Sequence, residues 1–332
     1  MRGKYLQSTI TTARFNLPVA IFITIVCWVM VYFLIPDPPK EEVTYTFWNM
    51  LTTYPIPLWA NKLICLLIYF AIGYVLIQMN NTFGLIRVRA SVQTSIFLLL
   101  TAACPPIQQL VPGDVATLLF VFALYLLFSA YQKFRSSGYI FHAFVFVGLG
   151  SLIFPQITLI APILLIGAFN FQALNPRSFM AALIGWSCPY WFLLGHAYYY
   201  DNMALFYQPF IELATFYPID FSNFTVWELV FLGYTFVLFI ISSIHCLVQS
   251  HKDKIRTRAH LRFLILLNIC IYILIALQPI HCANLLPLSM VGVSILASHM
   301  FVLTSNKVSN IFFICSVIGL ILLFFFNLWT LL

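Results

Sequence analysis

The sequence predicts an all-α membrane protein, a polytopic helical bundle of about 11 spans. Three observations carry that expectation. Apolar residues make up 62% of the chain and charged residues only 8%, whereas soluble domains are about a quarter charged. The apolar runs recur at lengths near the roughly 20 residues that a bilayer crossing requires. The charges between those runs alternate in sign along the chain.

The candidate spans are 15–35, 58–79, 91–111, 115–134, 139–155, 157–174, 178–200, 225–249, 261–279, 283–304 and 308–331, forming a single transmembrane domain over 1–332. The first is read as a retained helix. It is too long for a secretory signal core, and Asp37-Pro38-Pro39-Lys40-Glu41-Glu42 after it does not resemble a small-residue cleavage site. The third is interrupted by Cys104-Pro105-Pro106, and it is not expected to cross as a straight helix. The fifth and sixth are short, and Pro155-Gln156 between them predicts a tight hairpin. Ala181 with Gly185, and Gly148 with Gly150 and Ser151, supply small surfaces for close helix approach. Asn170, Gln172, Asn268, Gln278, Asn284 and Ser289 are expected to join helices to one another.

Orientation follows from the positive-inside rule. With the N-terminus cytoplasmic and the C-terminus outside, 14 of the 16 basic residues fall in cytoplasmic segments: Arg2, Lys4, Arg14, Arg87, Arg89, Lys133, Arg135, Arg177, Lys252, Lys254, Arg256, Arg258, Arg262 and Lys307. The outer segments hold eight of the nine acids: Asp37, Glu41, Glu42, Asp114, Asp201, Glu212, Asp220 and Glu228. Two charge signs thus agree on one threading. Lys62 and Glu228 lie near span ends, where they can snorkel. The rings of Trp48, Tyr54, Trp59, Tyr190, Trp191, Tyr198, Tyr199 and Tyr200 mark the outer headgroup layer.

The basic stretch from His251 to Arg262 reads as an anchor on an anionic leaflet, so membrane lipids are expected partners and nucleic acid is not. The eight cysteines have no Cys-x-x-Cys spacing. Cys104, Cys188 and Cys282 near outer span ends leave a disulfide open. The seven histidines lack the close pairs of membrane oxygenases, and His142, His245 and His299 lie toward one side while His196 and His281 lie toward the other. No metal and no cofactor is therefore expected. Phosphate-binding glycine loops and nucleophile elbows are lacking too.

Two outer loops exceed what connection requires. The first, Pro36–Pro57, joins Asp37, Glu41 and Glu42 to Phe47, Trp48 and Leu51. The second, Asp201–Phe224, spaces Met203, Phe206, Phe210, Leu213 and Tyr217 at intervals of three and four, an apolar helical face bent at Pro209. These loops are expected to roof an outward-facing cavity, with Asp37, then Glu41, Glu42 and Asp201, as catalytic carboxylates acting as general base or cation ligand. The plainer alternative is that these acids are solvated. Arg87, Arg89 and Arg177 are candidates for holding a lipid phosphate from the cytoplasmic side. No acid falls within the predicted hydrocarbon region, which argues against an ion-driven carrier.

Several stretches resemble an uncharacterised family of multi-pass inner-membrane proteins of Gram-negative bacteria. They are Arg87-Val88-Arg89-Ala90-Ser91, Ala103-Cys104-Pro105, Phe141–Pro155 and Arg177–Tyr190. The resemblance covers roughly residues 10–200 and implies an inner-membrane location. More loosely, a first helix followed by an acidic outer loop and short hairpins is similar to the membrane module of the C-type glycosyltransferases, which use polyprenyl-phosphate sugars. That similarity implies a catalytic role for Asp37, Glu41 or Glu42 and a polyprenyl-phosphate-linked substrate as partner, although the chain is short and lacks the periplasmic domain of those enzymes. The expected function is envelope biogenesis on a lipid-linked or glycan substrate at the outer face. The alternatives are a small-solute transporter or channel, and a non-catalytic membrane subunit that packs against other membrane proteins.

Overall fold

The computed structural model describes residues 6–13, 15–35, 45–51, 57–86, 91–219, 221, 224–304 and 306–331. Among them the chain is all helical, with no strand. A short α1 (Leu6–Thr12) precedes α2 (Asn16–Leu34), α3 (Thr46–Leu51), α4 (Leu58–Phe83) and α5 (Val92–Ala102). α6 (Pro112–Ser129) and α7 (Ser137–Ile153) follow, then a 3-10 turn over Pro155–Ile160 that leads into α8 (Ala161–Asn170). The second half comprises α9 (Pro176–Tyr199), α10 (Ala204–Ala214), α11 (Val226–Gln249), α12 (Ile255–Leu277), α13 (Cys282–Leu303) and α14 (Lys307–Leu331).

Eight of the described helices are long and apolar enough to cross a membrane, namely α2, α4, α6, α9, α11, α12, α13 and α14. α5, α7 and the Pro155–Asn170 segment are apolar but shorter. Prolines account for two of these short segments. α5 stops before Cys104-Pro105-Pro106, where a 3-10 turn replaces it, and Pro155 ends α7 and opens the hairpin into α8. In each case the missing N–H and the fixed φ of proline prevent the helix from continuing.

α13 forms the axis of the bundle. Every residue from Asn284 to Phe301 is buried, and α5, α6, α11 and α12 pack around it. A helix apolar on every face is stable only when enclosed in this way. α2 and α14 lie at the periphery and turn large apolar side chains such as Phe22, Phe33, Ile321 and Trp329 outward. Such surfaces suit acyl chains as neighbours.

The tightest packing is between α7 and α9. A Cβ at Gly148 would stand 2.5 Å from the Trp186 carbonyl oxygen, and one at Gly185 would strike the Phe141 carbonyl. Glycine here admits backbone against backbone, as the small-residue pattern predicts. α6 packs on the opposite face of α7.

Polar contacts gather the helix connections into two sets. At one end, Gln132 N donates to the Phe171 carbonyl, Thr257 Oγ1 to Gly84, and Gln7 Nε2 to Phe301 and Thr304. His260 stacks on Phe128 there, ring centroids 4.3 Å apart, with Phe83 and Phe171 at its edges. At the other end, Leu110 N bonds Asn61, Gly113 N bonds Asn284, Tyr45 bonds His281 and Asn327 bonds Ala103. The first set carries the described basic connections, from Lys133 and Arg177 to Lys254 and Lys307. The second carries Asp114, Asp201, Glu212 and Glu228.

All eight cysteines are free, including Cys104, Cys188 and Cys282. Of the polar residues expected to link helices, Asn284 joins α13 to α6 and Gln278 pairs with the backbone of Tyr217. Asn268 and Ser289 instead bond carbonyls of their own helices, at Leu264 and Leu286, because a hydroxyl or amide inside an apolar bundle finds its nearest acceptor one turn back.

Gly185→Leu should therefore lower the thermal stability of the detergent-solubilised protein by at least the ~1–3 kcal/mol typical of overpacking, because a carbonyl on α7 cannot yield as a side chain can. Gly195→Ala, whose Cβ meets nothing within 4 Å, should leave it unchanged. Equal unfolding temperatures for the two variants would contradict the assigned α7–α9 contact.

Candidate functional site

The two long loops converge at the acidic end of the bundle. α9 terminates at Tyr199, and Asp201 adopts a left-handed φ of 52°, a conformation that aspartate tolerates better than most residues. Asn202 N then returns to the Ala197 carbonyl at 2.9 Å, which closes the helix end and turns the chain into α10. Leu205, Phe206 and Phe210 of α10 pack on Leu152, Tyr190 and Leu193, so the spacing of three and four does create one apolar face. Pro209 lies inside that helix, and Tyr217 lies beyond its end, against His281. The Tyr190 hydroxyl under this layer is bonded to Ser151 at 2.8 Å.

α3 closes the arrangement. Glu212 of α10 accepts from Thr46 N at 3.0 Å and from Thr46 Oγ1 at 2.8 Å, so one carboxylate caps the first turn of α3 and fastens the two loop helices together. Between them and α9 is an open cavity, a surface groove of about 350 Å3 lined by Met50, His196, Tyr200, Asn202 and Leu205. Its wall is mainly apolar. The His196 and Tyr200 rings meet at 4.6 Å between centroids, tilted 43° to each other, and imidazole and amide groups are among its polar features.

Asp201 is exposed and sits in sequence between two residues of this wall, Tyr200 and Asn202, without lining it itself. Asp37, Glu41 and Glu42 lie outside the described residues, as do Arg87 and Arg89. Arg177 is exposed at the other end of the bundle, in the first turn of α9, which Asn175 caps by accepting from Ser178 N at 2.8 Å. It is thus separated from the cavity by the length of α9.

Among the described residues two acids are buried, one of them against the sequence reading. Asp114 was expected among the outer, solvated acids, but it is fully buried. Its carboxylate accepts from Tyr69 Oη at 2.6 Å, from its own loop at Val111 N, 3.0 Å away, and from Cys65 Sγ at 3.4 Å. The local signal was present: Pro112-Gly113-Asp114 places proline and an acid in a first helical turn, where the backbone N–H groups favour a carboxylate. The burying partners on α4 could not be read from that stretch. Asp253, the one acid of the basic end, is also buried and faces His299 Nε2 at 3.3 Å.

Lys62 likewise does not extend to solvent. It is 6% exposed, and its ammonium lies 5.6 Å from the centroid of the Tyr32 ring. Glu228 bonds Thr225 N and Oγ1 at 2.9 and 2.7 Å, a cap local to the start of α11.

No protein-family model, curated protein or solved structure matches this chain. What it does must therefore be argued from these groups.

Tyr69→Phe should cost about 1.5–3 kcal/mol, the range for a hydrogen bond to a charged group, seen as a lower unfolding temperature in detergent. An unchanged unfolding temperature would mean that the 2.6 Å contact contributes nothing to stability.

Proposed function

We propose that this chain is an inner-membrane protein that handles a lipid-linked or glycan substrate at the outer face of the membrane, in the manner of a glycosyltransferase. In this reading it makes 11 passages, with the N-terminus cytoplasmic and the C-terminus outside. The observation that carries the proposal is the cavity under α3 and α10, at the end of the bundle where the acidic connections gather.

The wall chemistry suits an amphipathic ligand. Met50 and Leu205 offer contact to a polyprenyl chain, while His196 and Asn202 offer hydrogen bonds to a phosphate or sugar at headgroup level. The same segments carry exposed aromatic rings, with Tyr198, Tyr199, Tyr207 and Phe216 all more than half exposed. Phe, Tyr and Trp at that depth favour the interfacial layer, where a lipid-linked substrate presents its polar group.

The carboxylates supply the chemistry. Asp201 lies in sequence between the wall residues Tyr200 and Asn202, and Asp37, Glu41 and Glu42 belong to the connection that leads into α3, whose Met50 lines the cavity. One of them would take the proton from an acceptor hydroxyl as it attacks the sugar carbon, or would hold a divalent cation against the departing phosphate. The similarity to the C-type glycosyltransferases favours the acids of the first outer loop for that role. Arg87, Arg89 and Arg177 would bind lipid phosphates of the cytoplasmic leaflet, positioning the bundle without entering the reaction.

A photoactivatable polyprenyl phosphate tests this reading in the full chain reconstituted in nanodiscs. Label should appear on peptides of α3, α9 or α10 and be displaced by unlabelled lipid, and His196→Trp, which fills the cavity from an exposed position, should weaken labelling roughly tenfold, or about 1.4 kcal/mol. Alanine at Asp37, Glu41 and Glu42 should preserve labelling and expression while the lipid-linked substrate accumulates in cells. Label spread over the lipid-facing helices and insensitive to His196→Trp would sink the proposal.

A further inference from the structure

Three side chains with lone pairs meet at the basic end of the bundle. His245 and Cys246 come from the last turns of α11, and His299 comes from the last turns of α13. One donor atom from each lies within 4.8 Å of the other two. Cys246 Sγ is 3.4 Å from His299 Nδ1.

The surrounding hydrogen bonds assign the tautomers of the neutral rings. His299 Nε2 faces the Asp253 carboxylate at 3.3 Å, and an ionised carboxylate can only accept, so Nε2 carries the hydrogen and Nδ1 keeps a lone pair toward Cys246. At the second ring, Thr304 gives its hydroxyl hydrogen to the Met300 carbonyl at 3.0 Å. With that hydrogen so placed, its oxygen accepts the 2.5 Å contact from His245 Nε2, an arrangement that leaves the lone pair on His245 Nδ1. That nitrogen is shielded from solvent, and no donor reaches it among the described residues. A buried acceptor left without a donor costs about 1–3 kcal/mol. A cation would relieve that cost.

We infer that His245 Nδ1, Cys246 Sγ and His299 Nδ1 form a binding site for a divalent transition metal of the zinc class, with Thr304 and Asp253 orienting the two rings. Two imidazoles and one thiolate are the donors this class prefers. Bond lengths of about 2.3 Å to sulfur and 2.0–2.1 Å to nitrogen place tetrahedral neighbours about 3.5 Å apart, close to the observed Sγ to Nδ1 separation. A carboxylate behind a ligating histidine and a hydroxyl behind the other are the outer partners that fix ring orientation at such sites.

Charge is consistent with burial. The thiolate and the Asp253 carboxylate together offset a divalent ion, while Arg258 and Arg262 of α12 line the small void beside Cys246 and Asp253 on the far side. That void is about 10 Å3, about the size of one water molecule, and is lined by Cys246 and Asp253 but by neither histidine. Binding ionises the Cys246 thiol, so one proton leaves to solvent for each ion taken up. The ion would tie the end of α11 and the connection holding Asp253 to the end of α13, the axis of the bundle. The sequence hid this arrangement: His245 and Cys246 are adjacent, but 53 residues separate Cys246 from His299.

The test uses the full chain purified in detergent under reducing conditions, equilibrated with zinc and dialysed. Mass-spectrometric metal analysis should find close to one zinc per chain, and Cys246→Ser and His299→Gln should reduce it to background. Asp253→Asn should retain the ion with affinity lowered about 10–100-fold, a separation that a purely structural Asp253 would not produce. Cobalt added to metal-free wild type should give a thiolate-to-cobalt charge-transfer band, a readout that does not depend on any variant folding. Absence of that band overturns the inference, and so does zinc bound equally by wild type and Cys246→Ser.

Discussion

Hydrocarbon offers a polar group no water, and the arrangement of this bundle follows from that single deficit. A hydroxyl, amide or charge is stabilised there by a partner within the protein or by moving to an end. Along α13 the solution is local. Ser289, Ser294 and Ser298 each return a hydrogen to a carbonyl three residues earlier, so that the helix is buried on all sides without an open donor at those positions. Between helices it is sparse and specific: Thr24 reaches Leu98, Thr94 reaches Gly73, and Asn327 reaches Ala103. Charged groups take the remaining course and collect at the two ends.

That sorting also decides where chemistry can be done. At the acidic end, two loop helices held together by Glu212 and Thr46 flank an open, mainly apolar groove that His196 and Asn202 help to line. At the basic end, imidazole, thiol and carboxylate groups from α11, α13 and the connection between α11 and α12 face one another. The middle of the bundle is apolar packing around α13, with α7 and α9 pressed together at Gly148 and Gly185. These groups thus stand at the two ends of the bundle, separated by an apolar layer.

Features set by local pattern were legible in the sequence. Proline positions foretold the break after α5 and the hairpin after α7, small residues foretold the α7–α9 contact, and the intervals from Met203 to Phe210 foretold the apolar face of α10. Alternating charge foretold which connections would share an end. What the sequence did not reveal depends on partners distant along the chain. Asp114 is buried by Tyr69, 45 residues away, and nothing near Asp114 distinguishes it from a solvated loop acid. His299 and Asp253 look like members of a scattered set until the fold sets them 46 residues apart in sequence and 3.3 Å apart in space. Lys62 looked free to reach the interface because the ring of Tyr32 that covers it belongs to another helix.

The claim beneath all of this is that the chain threads a bilayer so that its basic and acidic connections face opposite compartments. A paired phosphatase and fluorescent-protein reporter, fused in turn after Lys133, Asp201, Lys254 and the Phe221–Phe224 region, measures it directly in cells. The account requires the fusions at Lys133 and Lys254 to fluoresce and those at Asp201 and Phe221–Phe224 to show phosphatase activity. If the Lys254 and Asp201 fusions report the same compartment, the threading is wrong, and the assignment of an outer cavity and an inner metal site goes with it.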